Sequence, residues 1–246
     1  MLDLELTQMT VELFSEQTER DKQRTIGASN ASNPCNKCLA EDMLGIEQER
    51  GWAWLPAVVG TAIHELAEFR LKVPGRLRTM FGEPLTEYKM VIGTVPGYGD
   101  VKSTSDLYVP DRNLVLDWKT TTKAKLKQYV EVDAANMVID PDLYTQAKYD
   151  TLMEHMFTMR KYLNQCHLYG LGMIRLGYEV DSVAMGFICR DGMSGEDIKV
   201  FRYAYDPELA EKVWNRIGLL WNYLQDGKTP DDFDGNPYCW YCQNKR

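Results

Sequence analysis

Hydrophobic positions along this chain follow two periods, and the period decides the element. In residues 56–72, PAVVGTAIHELAEFRLK, the apolar positions Val59, Ile63, Leu66 and Leu71 predict an amphipathic helix. Similar spacing predicts helices over residues 3–24, 124–132 and 142–178, the last with Pro141 in its first turn. A further helix is predicted over residues 207–224, whose Val213, Trp214, Ile217, Leu220, Trp221 and Leu224 form a core face. Strands are predicted over residues 85–92, 182–189 and 199–205, the last two joined by a turn at 191–196. Between these elements lies STSDLYVPDRNLVLDWKTTT, residues 103–122. Its two β-type runs, 104–109 and 113–119, flank a Pro110-Asp111-Arg112 turn and predict a hairpin.

Alternation sorts the side chains of that hairpin, because residues two apart on a strand face the same way. Asp117 and Lys119 share a face with Val115, while Leu114 and Leu116 take the other. Asp106 holds an equivalent position on the neighbouring strand. The hairpin thus gathers two carboxylates and a lysine at the end of an otherwise apolar strand, where charge needs a partner. Hard oxygen ligands of this kind suit Mg²⁺ or Mn²⁺, and the ammonium suits an anionic oxygen.

A length of 246 residues with 44% hydrophobic and 26% charged positions predicts one globular domain. No apolar run reaches membrane-spanning length and the first residues lack signal character, so a cytoplasmic protein without a membrane partner is expected. A formal net charge of −8 excludes attraction of nucleic acid to the whole surface. Any such binding requires a local basic groove, for which Arg70, Lys72, Arg76, Arg78, Lys119, Lys123, Lys125 and Lys127 are candidates.

The six cysteines form two close pairs and two singles. Cys35 and Cys38 follow a small-residue loop, and Cys239 and Cys242 lie near the other end of the chain. Two intervening residues let both sulfurs of a pair reach one metal, and two pairs complete a tetrahedral site that joins the termini. Spacing alone favours zinc. Cys166 and Cys189 are isolated and read as small buried hydrophobes.

Asp106 followed by Asp117-Trp118-Lys119 and threonines resembles the catalytic core of the PD-(D/E)XK nuclease superfamily. The similarity is to its RecB-like exonuclease branch, which includes CRISPR-associated RecB-like nucleases and phage recombination exonucleases. Gly60 to His64 matches the G-x-x-x-H of that branch, and Gln165 to Tyr169 matches its Q-x-x-x-Y. Ser103 stands where the family usually has glycine.

The resemblance implies an α/β, restriction-endonuclease-like core: a central mixed β-sheet flanked by helices, with the termini joined by the cysteine site. It divides the single domain into an N-terminal helical and cysteine segment (1–55), a core with a helical insertion near 123–163 (56–205), and a C-terminal helix and cysteine tail (206–246). His64, Asp106, Asp117 and the carbonyl of Trp118 are then metal ligands, Lys119 the catalytic cation, and Gln165 and Tyr169 residues that position the strand. Glu68 would orient the imidazole; Glu87, at the start of its strand, lies near where the family often has a glutamate, although strand-edge glutamates are commonplace, and Glu65 carries no assigned role. The family often carries a 4Fe-4S cluster on one upstream and three downstream cysteines, whereas here the split is two and two, which keeps Zn²⁺ as the alternative. The implied activity is Mg²⁺- or Mn²⁺-dependent exonuclease hydrolysis of single-stranded DNA or duplex ends, in recombination, repair or phage replication, with a recombination or replication protein as partner. The alternative is a catalytically silent nucleic-acid-binding module or a metal-stapled subunit of a DNA-processing complex.

Overall fold

A computed structural model describes residues 7–9, 11–12, 25–46, 54–132 and 139–243. Of the helix expected over 3–24, residues 7–9 and 11–12 are helical and the rest lies outside the described residues. Among the described residues from 25 onward, the helices that precede the sheet are α1 (Ala28–Ala31), α2 (Asn36–Met43), α3 (Trp54–Lys72) and α4 (Arg76–Met80). Strands β1 (Leu85–Val95), β2 (Gly99–Val109) and β3 (Leu114–Thr121) follow, then α5 (Lys123–Val130) and α6 (Gln146–Arg175). The chain continues through β4 (Ser182–Cys189), β5 (Ile198–Ala204), α7 (Pro207–Gln225) and α8 (Trp240–Gln243).

The five strands form one sheet in the order β1-β2-β3-β4-β5. All neighbours are antiparallel except β3 and β4. That pair is parallel because α5 and α6 intervene, and a return to the same edge direction needs a crossover of this length. The β2–β3 turn is a single 3-10 turn, Pro110–Arg112, closed by Asn113 at φ 45. Proline presets the first dihedral, and asparagine tolerates the left-handed region at low cost.

Both faces of the sheet are covered. Leu107, Val109, Leu114, Leu116 and Ala184 pack with Leu71 of α3 in a small cluster on one face. Tyr108, Val115, Val183, Met185 and Phe187 join residues of α6 and α7, including Met159, Leu163, Leu168, Val213 and Ile217, in the main core. Leu114 and Leu116 therefore separate from Val115 as alternation requires. Cys166 and Cys189 are buried in the main core.

Two differences from the periodicity have local causes. Residues 141–143 form a separate 3-10 turn, and α6 starts only at Gln146, where the Thr145 hydroxyl accepts a hydrogen bond from the Lys148 N–H. In α3 the apolar stripe is only partly covered: Leu71 is buried, but Leu66 and Phe69 are 49% and 67% exposed. The cluster beneath α3 is small and reaches only its last turn.

Trp118 pairs with Gly186 across the parallel ladder, and its indole lies over that glycine. A Cβ at 186 would stand 2.5 Å from the ring. Gly186→Ala is expected to cost roughly 1–3 kcal/mol of stability by overpacking. The cost should shrink in a Trp118→Ala background, measured by denaturant unfolding of the four-member cycle. An undiminished cost would show that the ring does not set the constraint.

Candidate active site and cysteine centre

The β2–β3 ladder holds for three pairs, Val109 with Leu114, Tyr108 with Val115 and Leu107 with Leu116, and then opens. The next pair would set the carboxylates of Asp106 and Asp117 opposite each other on one face, an arrangement that like charge destabilises. Instead the Asp106 side chain supplies the lost acceptor: its Oδ2 takes a hydrogen bond from the Trp118 N–H at 2.7 Å. The other oxygen, Oδ1, lies 3.4 Å from His64 Nδ1.

Four elements meet at that imidazole: α3, β1, β2 and β3. His64 comes from α3, and its Nε2 lies 3.2 Å from the carbonyl oxygen of Trp118. Glu87 comes from β1 and places Oε1 3.6 Å from His64 Nδ1. Its backbone has φ 46 inside a strand, between the pairs Thr86–Leu107 and Tyr88–Ser105. A glutamate held in the left-handed region stores strain, a feature that clusters at functional sites. His64, Glu87 and Asp106 each offer a ligand atom within 4.8 Å of the others.

On the α6 side a second set forms a chain. Asp117 is buried, and its Oδ2 sits 2.7 Å from Lys119 Nζ but receives no well-directed hydrogen bond. The ammonium donates to Gln165 Oε1 at 3.1 Å and lies 5.1 Å from the centre of the Tyr162 ring. The Gln165 amide donates to the Tyr169 hydroxyl at 2.6 Å. Gln165 and Tyr169 share a face because they are four apart on α6, and Tyr162, three residues earlier, shares it too.

Burial pushes Asp117 up to about 7, with Asp106 adding to the rise and Lys119 opposing it. Lys119 would be depressed by burial, but the Asp117 carboxylate outweighs that and keeps it charged, above the usual lysine value. Burial also works against a charged His64, yet Asp106 and Glu87 raise it to about 10. The buried Tyr169 hydroxyl is pushed far up and stays protonated.

His64 and Asp106 from the first set and Asp117, Lys119, Gln165 and Tyr169 from the second line one cleft of about 860 Å³, as do Gly60, Lys89 and Lys102. The structure thus brings together His64, Asp106, Asp117, Lys119, Gln165 and Tyr169, with the Trp118 carbonyl beside the imidazole. Asp117 stands apart from the compact His64–Glu87–Asp106 trio. Glu68 does not orient the imidazole; it pairs with Lys72 one turn along α3, and Asp106 and Glu87 take that place. Of the basic residues expected at the groove only Lys119 lines it. Lys123 pairs with Asp197 and Arg78 with Glu83, while Lys89 and Lys102 supply the exposed rim cations.

The donor set fits a hard divalent cation: carboxylates, an imidazole and a main-chain carbonyl, with a buried Asp117 oxygen lacking a hydrogen bond. His64, Asp106, Glu87, Asp117 and the Trp118 carbonyl are the groups available to hold it.

The second centre lies where the chain ends meet. Cys35 is the N-cap of α2, Cys38 is in its first turn, Cys239 immediately precedes α8 and Cys242 lies within it. Their sulfurs lie within 4.8 Å of one another, none in a disulfide, with Phe157 of α6 and Tyr241 packed around them. Arg216 of α7 ties this region down by donating to the carbonyls of Ala31 and Asn33, both at 2.7 Å. Lys37 bonds Asp231 at 2.6 Å across the same junction. Four clustered thiols of this kind can bind a metal.

The order helix, three antiparallel strands, helix and parallel strand, with an Asp-x-Lys at the third strand, is the mixed sheet flanked by helices that the sequence resemblance implies. No family model matches the chain, and no curated protein does. Solved structures of similar shape include an alkaline exonuclease from Laribacter hongkongensis, at 12% identity, covering 85% of this chain and 94% of that one, with a TM-score of 0.48. A provisionally described exonuclease from Eubacterium rectale is 10% identical, with 94% of each chain covered and a TM-score of 0.49. A phage-related exonuclease from Haemophilus somnus is 13% identical, covering 83% of this chain and 96% of that one, at a TM-score of 0.32.

A cation at this site must displace protons, because the neighbouring carboxylates raise His64 to about 10 and burial raises Asp117 to about 7. Mn²⁺ affinity should therefore tighten as pH rises through that range, and binding should release protons. Calorimetry in buffers of different ionisation enthalpy measures this. A binding enthalpy that does not depend on the buffer would contradict it.

Proposed function

We propose that the protein is a Mg²⁺- or Mn²⁺-dependent DNA exonuclease, cytoplasmic, that hydrolyses phosphodiester bonds of single strands or duplex ends in recombination, repair or phage replication. One observation carries this reading. A cluster of carboxylate, imidazole and carbonyl donors shares a cleft with a half-buried ammonium, Lys119, that Asp117 and Gln165 hold in place. A buried carboxylate pushed up to about 7 beside a charged lysine, in a cleft, is the kind of perturbed pair that clusters at functional sites. The exonuclease mode follows the sequence resemblance.

Asp106, Asp117, His64 and the Trp118 carbonyl, joined by Glu87, would hold the cation, which supplies Lewis acidity toward a phosphate oxygen and an acidified water. The remaining work belongs to the chain's own side chains. Lys119 remains charged in a largely dry setting, so it can donate to the attacking water or to a phosphate oxygen as negative charge builds there. Gln165 fixes the direction of that ammonium and is itself fixed by Tyr169. Lys89 and Lys102 at the rim give the local positive charge that an acidic protein needs to draw in a phosphate backbone.

Asp106→Asn and Lys119→Ala should each lower cleavage of end-labelled DNA by at least about 10²-fold, the scale for losing a group aimed at developing charge. They should differ in Mn²⁺ binding, which Asp106→Asn weakens and Lys119→Ala retains. Tyr169→Phe leaves a buried amide short of an acceptor. It should reduce kcat while sparing Mn²⁺ affinity. A folded Lys119→Ala protein that cut DNA at the wild-type rate would overturn the assignment, and cleavage of circular single strands would replace the exonuclease mode with an endonuclease one.

A further inference from the structure

We infer that the four cysteines hold a single tetrahedral ion, with zinc as the fitting metal, in place of the four-iron cluster that the sequence resemblance implies. The inference rests on the thiol geometry and is independent of the nuclease reading.

The sulfur spacing is the primary observation. Cys35 to Cys242 is 3.5 Å, Cys38 to Cys242 is 3.5 Å and Cys38 to Cys239 is 3.7 Å. A zinc–sulfur bond of about 2.3 Å in a tetrahedron gives sulfur–sulfur edges of about 3.8 Å, close to all three. A cubane asks for a wider cage, because an iron stands between each cysteine sulfur and the cluster centre. All four sulfurs lie within 4.8 Å of one another. Even that outer limit corresponds to a centre-to-sulfur radius of only about 2.9 Å, which beyond a bond of about 2.3 Å leaves about 0.6 Å for the iron's own offset. That is less than the radius of an iron atom.

The walls around the sulfurs point the same way. Cys35, Cys38 and Cys239 are fully buried, with Phe157 and Tyr241 packed against the group. A Cβ built on Gly235 would stand 3.3 Å from Cys242 Sγ, so the backbone passes close on that side and leaves little space for inorganic sulfide. Each pair also has the two-residue spacing that turns both of its sulfurs toward one centre, here with Cys35 and Cys38 at the start of α2. Such a site is redox-inert and serves to join the two ends of the chain.

The test is elemental analysis and X-ray absorption spectroscopy of the full-length protein purified anaerobically. The expected result is a colourless protein with one zinc per chain, whose zinc edge reports four sulfurs at about 2.3 Å. Replacement by cobalt should give the intense visible bands of a tetrahedral thiolate site. Brown protein containing about four iron and four acid-labile sulfide per chain would overturn the inference. Folded, metal-free protein with all four thiols free to react would overturn it as well. Cys242→Ser should lower zinc occupancy and Tm together, while Cys189→Ser should leave zinc occupancy unchanged. Should the Cys242 variant fail to fold, the wild-type absorption spectrum decides alone.

Discussion

The hydrogen bond from the Trp118 N–H to the Asp106 carboxylate is the interaction on which the cleft depends. It replaces a rung of backbone pairing with a side-chain contact at the point where two like charges would otherwise face each other. The strands part there, so one carboxylate can turn toward α3 and His64 while the other stays beneath α6 beside Lys119. Without a compensating acceptor the Trp118 N–H would be left unpaired at the opening, at a cost comparable to a lost hydrogen bond. Packing on the far side fixes the same segment, since the Trp118 indole rests on Gly186 and directs its carbonyl region toward the imidazole.

Helix α6 connects this opening to the rest of the molecule. Its thirty residues span about 45 Å, long enough to touch both centres. Gln165 and Tyr169 reach Lys119 from one part of the helix, while Phe157, two turns earlier, packs against the cysteines. The thiolate centre and the cleft are thus two loads on one rigid element. A metal that closes the chain ends would also hold α6 in register against β3, through packing and with no chemistry of its own. Arg216 reinforces the arrangement from α7 by binding the carbonyls that lead into Cys35.

Much of this was legible in the sequence because it depends on period and spacing. Alternation placed Asp106, Asp117 and Lys119 on one face, the i, i+4 relation paired Gln165 with Tyr169, and the cysteine pairs met as their spacing required. The family resemblance pointed to a glutamate near Glu87, but its place in the trio depends on a left-handed backbone that no pattern of residue types announces. Tyr162 could have been found by following the Gln165 face back three residues. The basic rim was misplaced because charge alone does not reveal pairing: Lys123 and Arg78 face carboxylates, whereas Lys89 and Lys102 stand at the cleft by strand register. The late start of α6 reflects a cap at Thr145 that outcompeted proline as a start signal.

Under the proposed function, the opened hairpin holds a divalent cation between α3 and β3. Anomalous diffraction from crystals soaked in Mn²⁺ tests it most directly. The expected result is a peak within coordination distance, about 2.0–2.2 Å, of Asp106 and His64, with Glu87, Asp117 or the Trp118 carbonyl completing the shell. A cleft without Mn²⁺, in crystals where the ion occupies other carboxylate sites, would contradict it.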